Sequence, residues 1–228
     1  MDELVQLLKS STLFCDLAPE TIRDRLLPLG NTQEFPKGAY LLMPQEQLHS
    51  FGFVIAGLIH TLHISIDGDQ QIMDALEEGD IYGADLMCTR SRISPYHAMA
   101  AQPSRILFFP AAMILDPGHI GEADRQKILR RLLTIIAHEN MRKDYRLAIL
   151  SQKGLRERIL TYLTMQADKR GTATFTIPFS RDELASFLCV NRSALSHELS
   201  LMRREGIIEC RKSVFTLLHR KDGDGQHP

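Results

Sequence analysis

The sequence has no apolar run approaching the roughly 18 residues that a membrane helix needs. Its opening, MDELVQLLKS, carries acids where a secretory leader would be basic. A cytoplasmic protein with no membrane partner is therefore expected. Cysteine is sparse and scattered: Cys15, Cys88, Cys189 and Cys210 form neither a C-x-x-C pair nor a Cys/His cluster at zinc spacing. That pattern argues against a metal site and leaves free thiols that behave as small apolar groups. No G-x-S-x-G, H-E-x-x-H, P-loop or dinucleotide fingerprint occurs, and acids and histidines are not grouped at catalytic spacing. An enzyme of unknown class survives only as a rival. Net charge is also small, at −1, but it is unevenly spread. Residues 151–220 hold 12 Lys/Arg against 7 Asp/Glu, an excess of +5 that leaves −6 on the remainder. The C-terminal part is the one suited to a polyanion.

What is present is a chain of 228 residues with 44% hydrophobic and 24% charged content, enough for two modest soluble domains. The most informative stretch is FSRDELASFLCVNRSALSHELSLMRREGII, residues 179–208. Ser180 with Glu183 makes an S-x-x-E capping box, and Leu184, Phe187 and Leu188 follow at helical spacing. Asn191 suits the N-cap of a second helix. Leu195, Leu199 and Met202 would line one face of it, with Arg192, Ser193, Ser196 and His197 toward the other, and Gly206 would end it. A helix that presents Arg, Ser and His from its first turns suits the major groove, where Arg192 could take two acceptors on one guanine. Helical hairpins of all-α domains share the bare pattern.

Upstream, residues 2–30 read as short helices with stripes at Leu4, Leu7, Leu8 and at Ile22, Leu26, Leu27, the second opened by Pro19. Between Asn31 and Pro110 the pattern becomes short apolar runs, 40–43, 51–57, 58–66, 71–76 and 104–110, separated by turn signals such as PKG, DGD and EEGD. Strands of that length and spacing argue a sandwich or small barrel. Asp116-Pro117-Gly118 breaks the chain, and a long helix should run from about Ile120 to near Gly154. In it Leu129, Leu132, Ile136, Asn140, Lys143, Leu147 and Leu150 alternate by three and four, the seam of a two-stranded coiled coil that would give a symmetric dimer. A helix packed on its own β domain would give the same spacing. The segment 172–179 reads as a strand pair, and IIECRKSVFTLL as two strands around Arg211-Lys212-Ser213.

The run F-S-R-D-E-L-A, V-N-R-S-A-L-S-H-E-L, M-R-R-E-G-I-I resembles the winged helix-turn-helix of the Crp/Fnr family of bacterial transcription regulators. PKGAYLL, FGFVIAGLI, DGDQQIM and EEGDIYGADL resemble that family's cyclic-nucleotide-binding-type β-roll. The resemblance implies an α+β architecture: a double-stranded β-helix or jelly-roll sensing domain over 1–118 and a dimerisation helix over 119–153. A winged helix-turn-helix over 154–220 would follow, with Gly154 as hinge and a disordered tail at 221–228. It places Arg192, Ser193 and His197 at the base-reading positions, and Ser196, on the same outward face, is expected to join them. Ser180, Arg181, Asn191, Ala194, Arg211 and Lys212 would meet the DNA backbone, Arg211 and Lys212 from the wing. Ser193 and His197 depart from the glutamate and arginine of many members, which leaves the half-site sequence open.

An effector pocket is implied around Gly83, Ala84, Asp85, Ser94, Tyr96 and His97, reached by Asn140, Lys143 and Asp144 from the long helix. Nucleotide-binding members place Gly-Glu and Arg-Ser pairs there; here Ala84 takes the glutamate position and Ser94-Pro95 replace Arg-Ser. Without that arginine a cyclic phosphate loses its charge-assisted bidentate partner, which argues against cAMP. A single N-terminal cysteine argues against the iron–sulfur cluster of some relatives. His60 and His63, three apart on a strand, face opposite sides and cannot share haem iron. The expectation is a homodimeric, sequence-specific regulator on an inverted-repeat operator, with RNA polymerase as a further partner and an unidentified small-molecule effector. A ligand-independent or thiol-redox-switched regulator is the alternative, Cys15 and Cys88 being the thiols outside the DNA-binding half.

Overall fold

The computed structural model describes residues 2–115 and 120–218. The Asp116-Pro117-Gly118 break and the expected tail lie outside the described residues. The chain forms two compact units that divide between Lys143 and Asp144.

The first unit opens with α1 (Asp2–Ser10), which buries Val5 and Leu8. Pro19, at the first position of α2 (Pro19–Thr21), starts a segment that continues through a π turn, Ile22–Leu26, and a 3-10 turn, Leu27–Leu29. Eight strands follow: β1 (Asn31–Phe35), β2 (Tyr40–Leu42), β3 (Ser50–Ala56), β4 (Ile59–Ile64), β5 (Gln70–Leu76), β6 (Ile81–Tyr82), β7 (His97–Ala100) and β8 (Ser104–Pro110). They pair antiparallel in two four-stranded sheets, ordered β1-β8-β3-β6 and β2-β7-β4-β5. Short helices α3 (Ala84–Met87) and α4 (Ala112–Leu115) follow β6 and β8. One core is shared: Phe51, Phe53, Ile59, Ile106 and Phe109 from the strands meet Leu8 and Ile22 from the N-terminal helices and Phe14 from the turn between them. Gly57 allows the turn into β4, since its φ is +103° and a Cβ there would stand 2.6 Å from the Ser104 Cα.

All five expected strands are present. The sequence pattern does not reveal β1, which is exposed but for Phe35, nor the two-residue β6, nor the four-residue β7. Over 172–179 there is one strand rather than a pair, because only Thr174–Thr176 aligns against the wing.

The long helix is α5 (Glu122–Leu150), 29 residues. It buries Ile128 and Leu132 in the first unit's core, with Leu129, Ile135 and Ile136 packed partly against it. Leu132, expected on an intermolecular seam, is thus consumed within the chain. Leu133 is instead exposed at 69%, with Met141 at 47% and Leu147 at 68%, and Leu150 is half-buried.

In the second unit α6 (Leu155–Arg170) starts at Gly154, whose backbone is extended. It is followed by β9 (Thr174–Thr176), α7 (Arg181–Phe187), α8 (Arg192–Arg204), β10 (Ile208–Arg211) and β11 (Val214–Leu217). The strands form a sheet ordered β10-β11-β9. Its core contains stacked Phe179 and Phe187, 5.0 Å between centroids, with Tyr162 against Phe187 at 5.3 Å. The guanidinium of Arg146, near the end of α5, covers the Phe187 ring at 5.3 Å.

Candidate nucleic-acid interface and sensory node

Both helix starts of the hairpin are set by local hydrogen bonds. The Glu183 N–H donates to Ser180 Oγ at 3.3 Å and the Ser180 N–H to Glu183 Oε2 at 2.7 Å, a complete capping box on α7. On α8 the Ala194 N–H donates to Asn191 Oδ1 at 2.8 Å. The turn between the helices runs through Cys189 at φ +58°. Leu195, Leu199 and Met202 are buried, so α8 is held by one face, while Arg192, Ser193, Ser196 and His197 are exposed on the other.

The exposed groups differ in what they can offer a base. Arg192 Nη1 stands 3.3 Å from Asp182 Oδ2, with the two side chains 66% and 65% exposed. Such a pair is weak and water-screened, so the guanidinium can be released. The Ser193 hydroxyl already donates to Asn191 Oδ1 at 2.9 Å, which leaves it only as an acceptor. Ser196 and His197 project without that constraint. Among the backbone candidates, the Ala194 N–H donates to the Asn191 cap. Arg181 lies over the Phe215 ring at 4.8 Å. The expected wing is there, Arg211 closing β10 and Lys212 at the tip in a left-handed conformation, φ +54°. The Ser213 hydroxyl donates to the Phe179 carbonyl at 3.1 Å and ties the tip to the entry of the hairpin.

Behind α8, Arg156 donates to Glu198 Oε1 at 2.6 Å and to both oxygens of Glu205 at 2.6 and 3.0 Å. The fork joins α6 to the middle and the end of the recognition helix, and it holds the Glu205 carboxyl below the usual carboxylate range. An isolated arginine on an exposed helix face carries no sequence signal of such a role.

In the first unit, Gly83 at φ +80° caps α3 and Ala84 is fully buried. Ser94, also fully buried, donates to the Tyr96 carbonyl at 2.7 Å and accepts from the Tyr96 N–H at 3.2 Å. The Tyr96 hydroxyl donates to Asp85 Oδ1 at 2.8 Å, and Lys143 Nζ lies 3.7 Å from Asp85 Oδ2. His97 packs against Tyr40 at 5.7 Å. Asp85, Ser94 and Tyr96 are therefore brought together by hydrogen bonds, while the buried His97 Nδ1 and Tyr82 hydroxyl have no hydrogen-bond partner among the described residues. Of the three helix residues, Lys143 reaches this cluster. Asn140 and Asp144 are exposed and do not; Glu139 and Arg142 take their place.

Arg142 Nε stands 3.3 Å from Asp74 Oδ2 and its Nη2 4.0 Å from Glu139 Oε1. Burial, then the Asp85 carboxylate, pushes the Glu139 carboxyl up to about 7. Burial followed by Asp85 also raises the Tyr82 and Tyr96 hydroxyls, so both stay protonated. Asp74 and Asp85 thus sit against Arg142 and Lys143, with the partly protonated Glu139 carboxyl beside them. Burial and the Glu139 charge raise the Cys88 thiol, which works against a reactive thiolate there.

The arrangement defines a two-part protein, a β-roll unit joined by a long helix to a winged helix-turn-helix that presents a polar, partly cationic helix face. Residues 32–116 match the cyclic nucleotide-binding domain and residues 157–222 the Crp-like helix-turn-helix domain. The chain belongs to the Crp/Fnr family and is a transcription regulator with a DNA-binding helix-turn-helix. It is 23% identical over 187 residues to electron transport regulator A of Shewanella oneidensis, covering 80% of this chain and 72% of that protein. It is 22% identical over 195 residues to nitrogen fixation regulation protein FixK of Bradyrhizobium diazoefficiens, covering 83% and 79%. These relatives are regulators rather than enzymes. Among solved structures, the fold is similar to FixK2 of Bradyrhizobium japonicum, with a TM-score of 0.69 and 19% identity over 84% of this chain and 94% of that one. It is also similar to the c-di-GMP responsive regulator CLP of Xanthomonas campestris, with a TM-score of 0.70 and 14% identity over 89% and 100%. No helix among the described residues is long and apolar enough to cross a membrane.

Proposed function

We propose that the chain works in the cytoplasm as a homodimer that places two copies of α8 in successive major grooves of an inverted repeat, with half-sites about 10 bp apart. The observation that carries this reading is the α8 geometry: one face fully buried and the opposite face offering Arg192, Ser196 and His197 to solvent. Support for the dimer comes from Leu133, Met141 and Leu147 on α5, large apolar side chains left in water. RNA polymerase as a downstream partner rests on the family resemblance.

The sensory node supports control by something other than cAMP. Its serine hydroxyl and its tyrosine–aspartate pair are hydrogen-bonded internally, and its two cations, Arg142 and Lys143, already face the Asp74 and Asp85 carboxylates, which leaves neither spare for a phosphate. A signal that alters the contacts of Glu139, Arg142 or Lys143 acts on the same helix that ends against Phe187, and so biases the DNA-reading heads.

Two measurements test this. Selection of duplexes from a random pool should return a two-fold symmetric site bound by a dimer; a monomer bound to asymmetric DNA would refute the reading. Calorimetric titration with cAMP should show no binding, and saturable micromolar heat would sink the effector part alone.

A further inference from the structure

Between α8 and the wing lies an open cleft of about 260 Å³ lined by Arg181, Ser196, Ser200, Arg203 and Lys212 among others. The three cations reach it from different elements: Arg181 from the start of α7, Arg203 from the last turns of α8, and Lys212 from the wing tip. Among the described residues none of the three is in an ion pair. Three other arginines of this unit, by contrast, are engaged: Arg156 by two glutamates, Arg158 by the Gln152 and Leu188 carbonyls, and Arg192 by Asp182. Three like charges gathered around one concavity with no acid among its lining repel one another, and an anion offsets that repulsion. Arg181 is braced for the task by its stacking on Phe215 at 4.8 Å. The hydroxyls of Ser196 and Ser200 add neutral hydrogen-bonding groups, the latter already donating to the Ser196 carbonyl at 2.8 Å and so free to accept.

Helix geometry says which anion belongs there. Arg203 is eleven residues beyond Arg192, about 16 Å along the axis at 1.5 Å per residue. A recognition helix meets the base edges with its N-terminal residues, so with Arg192 there Arg203 lies past them, at the end of the helix beside the wing, where contacts go to the sugar–phosphate backbone. We propose that Arg181, Arg203 and Lys212 form a seat for one backbone phosphate of the strand that passes between recognition helix and wing. Arg203 is the residue that completes it. The inference rests on the duplex-DNA reading above and narrows it: the seat fixes how far α8 slides along its groove, while Arg192 and His197 read the bases.

The test uses the full-length chain and a duplex obtained by selection, and compares wild type with Arg203→Gln and Arg203→Lys. Arg203 is exposed, so neither change disturbs the core. Arg203→Gln should flatten the dependence of log Kd on log salt by about 1, the contribution of one neutralised phosphate. It should weaken selected and scrambled duplexes by the same factor, on the order of ten. Arg203→Lys should keep the slope. A scan with single methylphosphonates should find one position per half-site that weakens the wild type and leaves Arg203→Gln indifferent. An unchanged slope in Arg203→Gln, in a protein whose site selectivity still responds to Arg192→Ala, overturns the seat alone. Displacement of the duplex by millimolar inorganic phosphate at fixed ionic strength, abolished by Arg203→Gln, assigns the site to a free anion and overturns the backbone assignment. A protein that binds no duplex overturns the reading beneath both.

Discussion

The guanidinium of Arg156 closes a two-point fork on the carboxylate of Glu205, at 2.6 and 3.0 Å, and reaches Glu198 with its remaining edge. A residue of α6 thereby holds the recognition helix from behind, at a distance from any base. Arg156→Gln should lower the melting temperature and weaken DNA binding. It should leave the salt slope unchanged, since no phosphate contact is lost. Differential scanning fluorimetry together with a salt series checks both, and a reduced slope would mean that Arg156 meets DNA directly.

Arg192 is expected to act through a base. Its replacement by alanine should cost about 1–3 kcal/mol at the selected site and relax discrimination at one base pair. Lys212→Ala should weaken all sequences alike. Mobility-shift titrations on single-base variants of the site separate the two, and the reverse result would exchange the assignments.

The Glu139 carboxyl has a pH signature. Burial and Asp85 raise it to about 7 from 4.5, against the opposing pull of Arg142 and Lys143. Between these values the folded chain keeps a proton that the unfolded chain has released, so stability falls as pH rises through that window. The contribution is fully present below about 4.5 and gone above about 7; the ceiling is roughly 3 kcal/mol. Wild type should therefore lose melting temperature from pH 5 to 7.5 more steeply than Glu139→Gln. Parallel curves would mean that the carboxyl ionises as it does in water.

Leu133 and Leu147 are 69% and 68% exposed on α5. If a second copy covers them, Leu133→Asp with Leu147→Asp should convert a dimer into a monomer with an unchanged circular dichroism spectrum. Sedimentation velocity measures this. A double variant that still sediments as a dimer would move the interface elsewhere.

The DNA-reading hairpin was legible in the sequence because its determinants are local. Ser180, Glu183 and Asn191 each act on a backbone group three residues away, and Leu195, Leu199 and Met202 repeat at a spacing that only a helix brings together. The sensory node was harder to read because spacing gives the period of a helix and not its phase. On α5 the series Ile128, Leu132, Ile135, Glu139, Arg142 also steps by four and three, and that is the face turned to the β-roll. The family resemblance, which implied Asn140, Lys143 and Asp144, likewise carries no information on the phase that turns Glu139 and Arg142 inward. Arg156 and Arg203 were invisible for a different reason. A charged residue on an exposed helix position looks the same whether it faces water, a glutamate pair or a cleft.

The pairing of Arg192 with Asp182 gives the idle protein a resting place for its principal reading group. If Arg192 reads a base as proposed, the pair is too exposed to hold it back, and Asp182 acts chiefly as a nearby negative charge that offsets part of the arginine's attraction to arbitrary phosphates, whereas a correctly placed guanine offers two acceptors at once. Asp182→Asn should lengthen the time spent on irrelevant DNA more than the time spent on the operator.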